Sequence, residues 1–308
     1  MHATKVEMHS IRSRCVVCVD AELKLWLVAE DRNQRVVEEQ RYEIMRCPSC
    51  GLGYTIHGLR VEELWRYYPK QYYSLDDNRR MEGSKASRVY RKTRMARIKR
   101  YASSGLLLDI GAGTGMFMKW AKESGFEVEG LELSRDAAEY GSKEWGLAIR
   151  QGDLHETVFP PSRYDVVTLS HVFEHLHEPL TAARKLYEIT KPGGLLVVAV
   201  PNFESLQARV FGKRWYHLDV PRHLFHYTPR SLRAFIERAG FKIIGLSFFS
   251  PEHNWAGILG SVMRLNAPGE RFMHKVVRKL AGVPAARAAA YVEAVLSRGG
   301  TFEIYARK

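Results

Sequence analysis

A short glycine-rich segment, Leu106–Gly115, constrains the fold more than any other part of this chain. Its apolar residues run into Asp109, and glycines then occupy every second position, at Gly111, Gly113 and Gly115. A strand that ends in such a turn and continues as a helix lets the backbone approach a nucleotide-like ligand closely. The spacing differs from the G-x-G-x-x-G of dinucleotide-binding folds, because the third glycine comes one residue early. The segment therefore predicts an α/β sheet with a cofactor at this turn.

The segments that follow predict a parallel sheet with a polar residue at the end of several strands. A carboxylate about 20 residues past a glycine loop can accept the hydroxyls of a ribose, and Glu132 is placed to do so. The fourth strand is almost entirely apolar, as expected for a sheet covered on both faces. The predicted strands after the glycine loop are Phe126–Leu131, Ala148–Asp153, Tyr164–Ser170, Lys191–Pro201, Phe241–Phe249 and, closing the sheet, Gly300–Arg307.

Taken together, these motifs resemble the class I S-adenosylmethionine (SAM) methyltransferases over about residues 104–250. The resemblance is carried by Asp109-x-Gly-x-Gly-x-Gly, then Tyr164-Asp-Val-Val, a histidine-rich turn and Lys191-Pro-Gly-Gly. It implies a Rossmann-like, seven-stranded α/β sheet, SAM as the cofactor and an antiparallel last strand. The implied cofactor-binding residues are Asp109, Gly111, Gly113, Gly115, Glu132, Asp153, Leu154, Ser170 and Tyr73. The alternative is a Rossmann-like domain with an unrelated ligand, since a fold alone does not determine function.

All four cysteines lie in the first fifty residues, as two C-x-x-C pairs separated by 28 residues. Two such pairs can complete a tetrahedral zinc site, and four thiolates leave no open position for catalysis. The pattern predicts a structural zinc ribbon over residues 1–60, with zinc held by Cys15, Cys18, Cys47 and Cys50. A redox or disulfide role is the alternative, which a cytosolic location disfavours.

Residues 61–103 are predicted to form an aromatic and basic helical linker. In similar proteins a tyrosine pair such as Tyr72 and Tyr73 helps to close the cofactor pocket, although these rings could equally pack a linker helix. The stretch from Arg79 to Arg100 is basic and helical. Such faces attract phosphates, acidic glycans or membrane surfaces, but more often they are simply solvated.

The formal net charge of +13 keeps nucleic acid among the alternatives as a partner. The basic residues are spread through the chain, and no RNA-binding motif such as an aromatic RNP signature is present. No apolar run approaches the ~20 residues of a membrane span, and the N-terminus lacks the apolar core of a signal peptide. We therefore expect a cytoplasmic protein with a small-molecule or glycan acceptor.

Two histidine-rich loops are the candidates for the acceptor site. His171-Val-Phe-Glu-His175 matches the inverted zinc-peptidase motif, but it follows directly on a predicted strand rather than lying in a helix. The methyltransferase resemblance places it beside cofactor and acceptor, with His175 where related enzymes of ubiquinone biosynthesis carry a histidine. The second loop is Trp215–Thr228, from which we expect His223 and Asp219 to contact the acceptor. The candidate catalytic residues are therefore His175, His223 and Asp219.

The catalytic domain is predicted over residues 104–308, with a helical insertion at 251–299 before the last strand. Its helices pack on the domain itself or on a second subunit, and peripheral membrane contact through a basic amphipathic helix is the alternative. The predicted reaction is SAM-dependent methyl transfer to a hydroxyl of a sugar, glycan or other small metabolite. The alternatives are an RNA methyltransferase and a non-catalytic protein that binds SAM or a partner.

Overall fold

The computed structural model describes residues 14–32, 40–56, 63, 66–68, 85–262 and 282–308. The strands are β1 (Lys24–Glu30), β2 (Arg41–Arg46), β3 (Gly53–Ile56), β4 (Gly105–Ile110), β5 (Phe126–Glu132), β6 (Ala148–Gln151), β7 (Tyr164–Ser170), β8 (Thr190–Pro201), β9 (Phe225–His226), β10 (Lys242–Ser247) and β11 (Thr301–Arg307). The helices are α1 (Lys85–Lys99), α2 (Met116–Glu123), α3 (Arg135–Trp145), α4 (Pro179–Ile189), α5 (Leu206–Phe211), α6 (Pro229–Arg238), α7 (Pro251–Val262) and α8 (Val283–Val295).

Seven strands form the large sheet, in the order β10-β11-β8-β7-β4-β5-β6. The central strands are parallel, and β11 is antiparallel to both β8 and β10. This confirms the predicted seven-stranded α/β sheet with an antiparallel closing strand. The strand order reverses between β4 and β7, and ligands of open α/β sheets bind beside such a point, at the carboxyl ends of the strands.

The residues of the large sheet explain why it lies at the centre of the molecule. The middle of β7 and the second half of β8 are buried on both faces, which matches their nearly uninterrupted apolar sequences. Helix α3 begins at a capping residue, because the Ser134 side chain accepts a hydrogen bond from the Ala137 N–H, and it ends at Gly146 in a left-handed conformation. The apolar strands and the helix-capping residues in the sequence thus match the observed burial and helix ends in this part of the sheet.

A second, four-stranded antiparallel sheet has the order β1-β2-β3-β9. The cysteine-bearing segment supplies three of its strands. The fourth, β9, comes from the histidine-rich loop after β8, where His226 pairs with Gly53 and Phe225 with Tyr54. The predicted zinc ribbon therefore shares its sheet with a loop of the methyltransferase-like part.

A buried ion-pair network joins the same two regions. The guanidinium of Arg222 donates to both carboxylate oxygens of Asp31, at 2.7 and 3.0 Å, and to both of Asp219, at 2.7 and 3.0 Å. It also donates to the carbonyl oxygen of Tyr67 at 3.0 Å. The side chains of Arg222 and Asp31 are 0% and 1% exposed, so this charge is balanced entirely inside the protein.

Helix α1 covers the described part of the predicted basic helix, and two of its cations face inward. Arg94 and Arg97 form ion pairs with the buried Glu303 of β11, at 3.3 and 2.9 Å. These two residues anchor the helix to the sheet, while Lys99 and Arg100 stay exposed. The predicted helices of the 251–299 insertion are observed as α7 and α8, and the one predicted at Glu270–Ala281 lies outside the described residues. Among the described helices, none has the length and apolar character needed to cross a membrane.

We expect Asp31→Asn to lower the free energy of unfolding by roughly 3 kcal/mol, because it removes one of the two buried ion pairs of Arg222 and the amide nitrogen of Asn cannot accept a hydrogen bond from the guanidinium. Urea denaturation followed by circular dichroism measures this change. Glu30→Gln is the matched control, since the neighbouring Glu30 side chain is 61% exposed and its contact with Arg41 is 3.8 Å long. Equal stabilities for the two variants would contradict a structural role for the Asp31–Arg222 pair.

Candidate functional site

The glycine loop between β4 and α2 has the geometry of a ligand cradle. Gly111, Gly113 and Gly115 all have positive φ angles, of 71°, 55° and 78°. The N–H groups of Gly111 and Ala112 are bonded to the carbonyl oxygen of Leu131, which ties the loop to β5. A Cβ added at Gly113 would meet no atom of the described residues within 4 Å. These features fit a cofactor that lies directly on the backbone.

Acidic residues predicted for the cofactor lie around this loop. Asp109 accepts a hydrogen bond from the Thr168 hydroxyl at 2.6 Å, and burial raises the pKa of its carboxyl to about 6. Glu132 accepts the N–H groups of Gly113 and Ser134 at 2.7 and 2.8 Å. It therefore fixes the conformation of the glycine loop, at the position that the sequence analysis predicts for the ribose.

The remaining predicted cofactor residues are distributed along the same edge of the sheet. Asp153 follows β6 and accepts the His155 N–H at 2.6 Å, and Leu154 beside it is buried. Ser170 ends β7 and is half-buried. Tyr73 lies outside the described residues.

The first histidine-rich loop packs directly on the glycine loop. A Cβ at position 111 would overlap Cγ2 of Val172, so only glycine allows this approach. His171, just before it, has a positive φ of 56°. The segment Phe173–His175 is a single 3-10 turn and not an α-helix, in keeping with the interpretation of this motif as a loop. Its side chains therefore lie beside the cofactor loop.

A buried carboxylate, Glu174, lies at the centre of a group of histidines. Its side chain is 1% exposed, and Nδ1 of His171 lies 3.3 Å from its Oε1 atom. Nε2 of His223, from the second loop, lies 3.9 Å from the same oxygen. The rings of His175 and His223 are 4.7 Å apart between centroids. The structure thus brings together the two predicted candidate bases, His175 and His223, around an acid that the sequence analysis did not select.

The electrostatics of this group favour the ionised form of Glu174 and the neutral forms of His223, His217 and His226. Burial raises the pKa of Glu174, but the contact with His171 and the nearby histidines outweigh it and bring the pKa to about 2. Burial, with repulsion from His175, lowers the pKa of His223 to about 4. Burial also lowers the pKa of His217 and of His226 to about 3. Neutral imidazoles of this kind can accept a proton.

Backbone carbonyls set the orientation of both candidate bases. Nδ1 of His175 lies 2.9 Å from the carbonyl oxygen of Arg222, and Nδ1 of His223 lies 2.9 Å from that of His217. Because a carbonyl only accepts, each Nδ1 carries a proton, and in the neutral form of each ring Nε2 keeps its lone pair. Asp219, the third predicted catalytic residue, lies 3.9 Å from Nε2 of His223 and pairs with Arg222.

Two residues that were not predicted to belong to the site, Thr55 and Tyr68, contact its histidines from the part of the chain before the large sheet. Thr55 of β3 donates its hydroxyl to the carbonyl oxygen of His223 at 2.6 Å and lies 2.9 Å from Nε2 of His226. The hydroxyl of Tyr68 lies 3.0 Å from Nδ1 of His175. Glu174 was detectable from the sequence as the acid of the H-x-x-E-H motif. Thr55 and Tyr68 carried no such signal, because their roles depend on long-range packing.

The four cysteines converge on one point. Their sulfur atoms all lie within 4.8 Å of one another, and those of Cys15 and Cys50 are 3.6 Å apart. The N–H groups of Val17 and Cys18 point to the Cys15 sulfur at 3.4 Å, and that of Cys50 to Cys47 at 3.5 Å. Such N–H groups stabilise thiolates, so the donor set fits a tetrahedral zinc ion.

Comparison with known proteins agrees with this geometry. The methyltransferase-domain family matches residues 83–246. The chain is 27% identical over 154 residues to a ubiquinone biosynthesis O-methyltransferase of Azoarcus sp. (strain BH72), covering 46% of this chain and 66% of that protein. It is 28% identical over 124 residues to a malonyl-[acyl-carrier protein] O-methyltransferase of Serratia marcescens, covering 40% and 48%. The chain thus spans about half to two thirds of the length of these curated relatives.

Solved structures show the same fold. A SAM-dependent methyltransferase from Archaeoglobus fulgidus superposes with a TM-score of 0.52 at 22% identity, covering 77% of this chain and 100% of the other. One from Thermotoga maritima gives 0.51 at 18% identity, covering 79% and 99%. With the family match over more than half of its residues, the chain belongs to the class I SAM-dependent methyltransferases.

Proposed function

We propose that this protein transfers the methyl group of SAM to a hydroxyl of a sugar, glycan or other small metabolite. The observation that carries the proposal is the contact between Gly111 and Val172, which sets the Glu174–His175–His223 group beside the cofactor loop. Bound SAM supplies an electrophilic methyl group. The protein must then hold the acceptor oxygen in line with it and remove the hydroxyl proton.

For the cofactor, the protein supplies the backbone of the glycine loop and the carboxylates of nearby acidic residues. In this proposal the methionine part of SAM lies over Gly113, Glu132 binds the ribose hydroxyls and Asp153 the adenine amine. Asp109 holds the loop through Thr168. The helix α2 begins at Met116, so its first N–H groups face the same space.

On the acceptor side, Nε2 of His175 or of His223 takes the hydroxyl proton. Both rings are held by backbone carbonyls with that nitrogen unprotonated. Both oxygens of Asp219 contact Arg222, so we assign Asp219 to positioning the loop and not to proton removal.

The burial of the residues proposed to contact the acceptor supports a small substrate. The side chains of Glu174 and His223 are 1% and 8% exposed, so only a compact group can reach them. The two curated relatives are both named as O-methyltransferases, which supports an oxygen acceptor. RNA is the competing acceptor that a transfer assay must include, because of the high positive charge of the chain.

We also propose that Cys15, Cys18, Cys47 and Cys50 hold one structural zinc ion. The converging sulfurs and the N–H groups that point at them support this assignment. Because Thr228 donates its hydroxyl to the carbonyl oxygen of Cys50 at 2.8 Å, the zinc knuckle would also support the start of α6 and the end of the histidine loop.

For the cofactor, we expect Gly113→Val to weaken SAM binding at least about tenfold, because the new side chain fills the open space above the loop. Isothermal titration calorimetry measures the affinity. Gly146→Val is the matched control: Gly146 has a φ of 60° and no atom within 4 Å of its added Cβ, but it lies at the end of α3. Unchanged SAM affinity in Gly113→Val would contradict the cofactor assignment.

For the acceptor, we expect His175→Ala or His223→Ala to keep SAM affinity and to lose about 10²–10⁴-fold in turnover. Transfer of labelled methyl from SAM is followed with a panel of hydroxylated metabolites and with RNA. His177→Ala is the control, since its ring packs on His155 and it is not part of the Glu174–His175–His223 group. Full turnover in both test variants would exclude them as bases, and label found only in RNA would overturn the small-molecule proposal.

For the zinc site, elemental analysis of protein purified without added zinc should find one zinc per chain, and Cys47→Ser should lower that content. Chelation should leave SAM affinity unchanged but lower turnover, because β9 and the histidine loop lose the sheet that supports them. A disulfide detected by mass spectrometry, or no zinc, would refute the site.

A further inference from the structure

The carboxylate of Glu174 lacks the hydrogen bonds that a buried charge requires. Its side chain is 1% exposed, and neither of its oxygens accepts a hydrogen bond from the residues that the structure describes. Nδ1 of His171 lies 3.3 Å from Oε1, in a contact without hydrogen-bond geometry. Leaving an ionised carboxylate in such a place costs several kcal/mol or more unless a cation accompanies it. The surroundings of Glu174 therefore point to a positively charged ligand.

Two histidines complete a donor set around this carboxylate. One ring nitrogen of His175, one of His223 and an oxygen of Glu174 all lie within 4.8 Å of one another. His223 donates its Nδ1–H to the carbonyl oxygen of His217, which leaves the Nε2 lone pair facing Glu174 at 3.9 Å. His175 makes the same kind of bond to the carbonyl oxygen of Arg222. Metal-binding histidines are typically oriented in this way by a carbonyl on the opposite nitrogen.

We propose that Glu174, His175 and His223 bind one divalent transition-metal cation, which in turn binds the acceptor. Two imidazoles and one carboxylate suit Mn²⁺, Fe²⁺, Co²⁺ or Zn²⁺ better than Ca²⁺ or Mg²⁺, which prefer oxygen ligands. The role in catalysis rests on the proposed methyl transfer and takes the place of proton removal by His175 or His223, because a metal-bound nitrogen has no lone pair for a proton; the binding of the cation does not depend on that transfer. The site is separate from the four cysteines, whose soft sulfur ligands suit zinc and disfavour Mn²⁺.

Three protein ligands leave positions open for the acceptor. Adjacent open positions fit a compound in which the reacting hydroxyl stands next to a second oxygen, so that both bind the cation. The cation lowers the pKa of that hydroxyl, and the proton leaves to His171, whose side chain is 21% exposed, and on to water. The oxygen then bonds to the methyl carbon as the carbon–sulfur bond breaks and its electron pair stays on sulfur.

The test is a titration of the purified zinc-containing protein with MnCl₂, followed by electron paramagnetic resonance. We expect one bound Mn²⁺ per chain, with nitrogen couplings from imidazole in the pulsed spectrum. Glu174→Gln should weaken this binding at least about tenfold. Glu178→Gln, which changes an exposed carboxylate in the same loop, is the control and should bind like the parent. Thermal melting adds a second readout: Mn²⁺ should raise the melting temperature of the parent and not that of Glu174→Gln.

The outcomes separate the cation from the proposed function. Binding that is absent, or equal in the parent and Glu174→Gln, overturns the cation site, and methyl transfer would then depend on the histidines as bases with His171 balancing Glu174. Methyl transfer at the full rate in protein shown to hold zinc but no second cation also overturns its catalytic role. Specific Mn²⁺ binding without transfer to any hydroxyl acceptor supports the site and refutes the proposed function instead.

Discussion

The guanidinium of Arg222 is the interaction on which the acceptor side of this molecule depends. Its five hydrogen bonds to Asp31, Asp219 and the carbonyl of Tyr67 use all five of its N–H donors. A buried ion pair repays its desolvation only when every donor and acceptor is satisfied, and here that condition is met by three separate segments. The network therefore exists only when the end of β1, the aromatic segment and the histidine loop are all in place. It couples the folding of the cysteine-bearing part to the geometry of the candidate site.

That coupling changes how the N-terminal part should be viewed. If the zinc ribbon were a separate domain, its unfolding would not change the catalytic rate. Here β3 pairs with β9 inside the histidine loop, and Thr55 holds the carbonyl oxygen of His223 and the ring of His226. The cysteine-bearing part therefore supports the loop that carries His223, a candidate acceptor residue. The Cys50 carbonyl that binds Thr228 extends the same support to the capped start of α6.

Sequence reasoning succeeded where the signal was local. The glycine spacing, the acids at strand ends, the helix caps and the paired cysteines each lie within a few residues, and the seven-stranded sheet follows from them. It could not predict contacts between distant segments. Asp31 and Arg222 are 191 positions apart in the chain, and Thr55 and His223 are 168 positions apart. It also treated α1 as a mainly solvated basic face, whereas Arg94 and Arg97 pair with Glu303. The two-residue strand β9 is too short to show a periodic sequence pattern, and ion pairs between distant residues show none.

The contact of Gly111 with Val172 links the two halves of the chemistry. Glycine at this position is usually explained by the cofactor, but here the second loop itself demands it, since any side chain would displace Val172. Glu174 and His175 follow Val172 by two and three residues. If Val172 moved away from Gly111, the side chains of Glu174 and His175 would therefore move relative to the glycine loop. Methyl transfer needs the acceptor oxygen aligned with the breaking bond, and an error of about 1 Å can cost about 10²-fold in rate. The loop after β7 is thus positioned by the same glycine turn that we propose binds the cofactor.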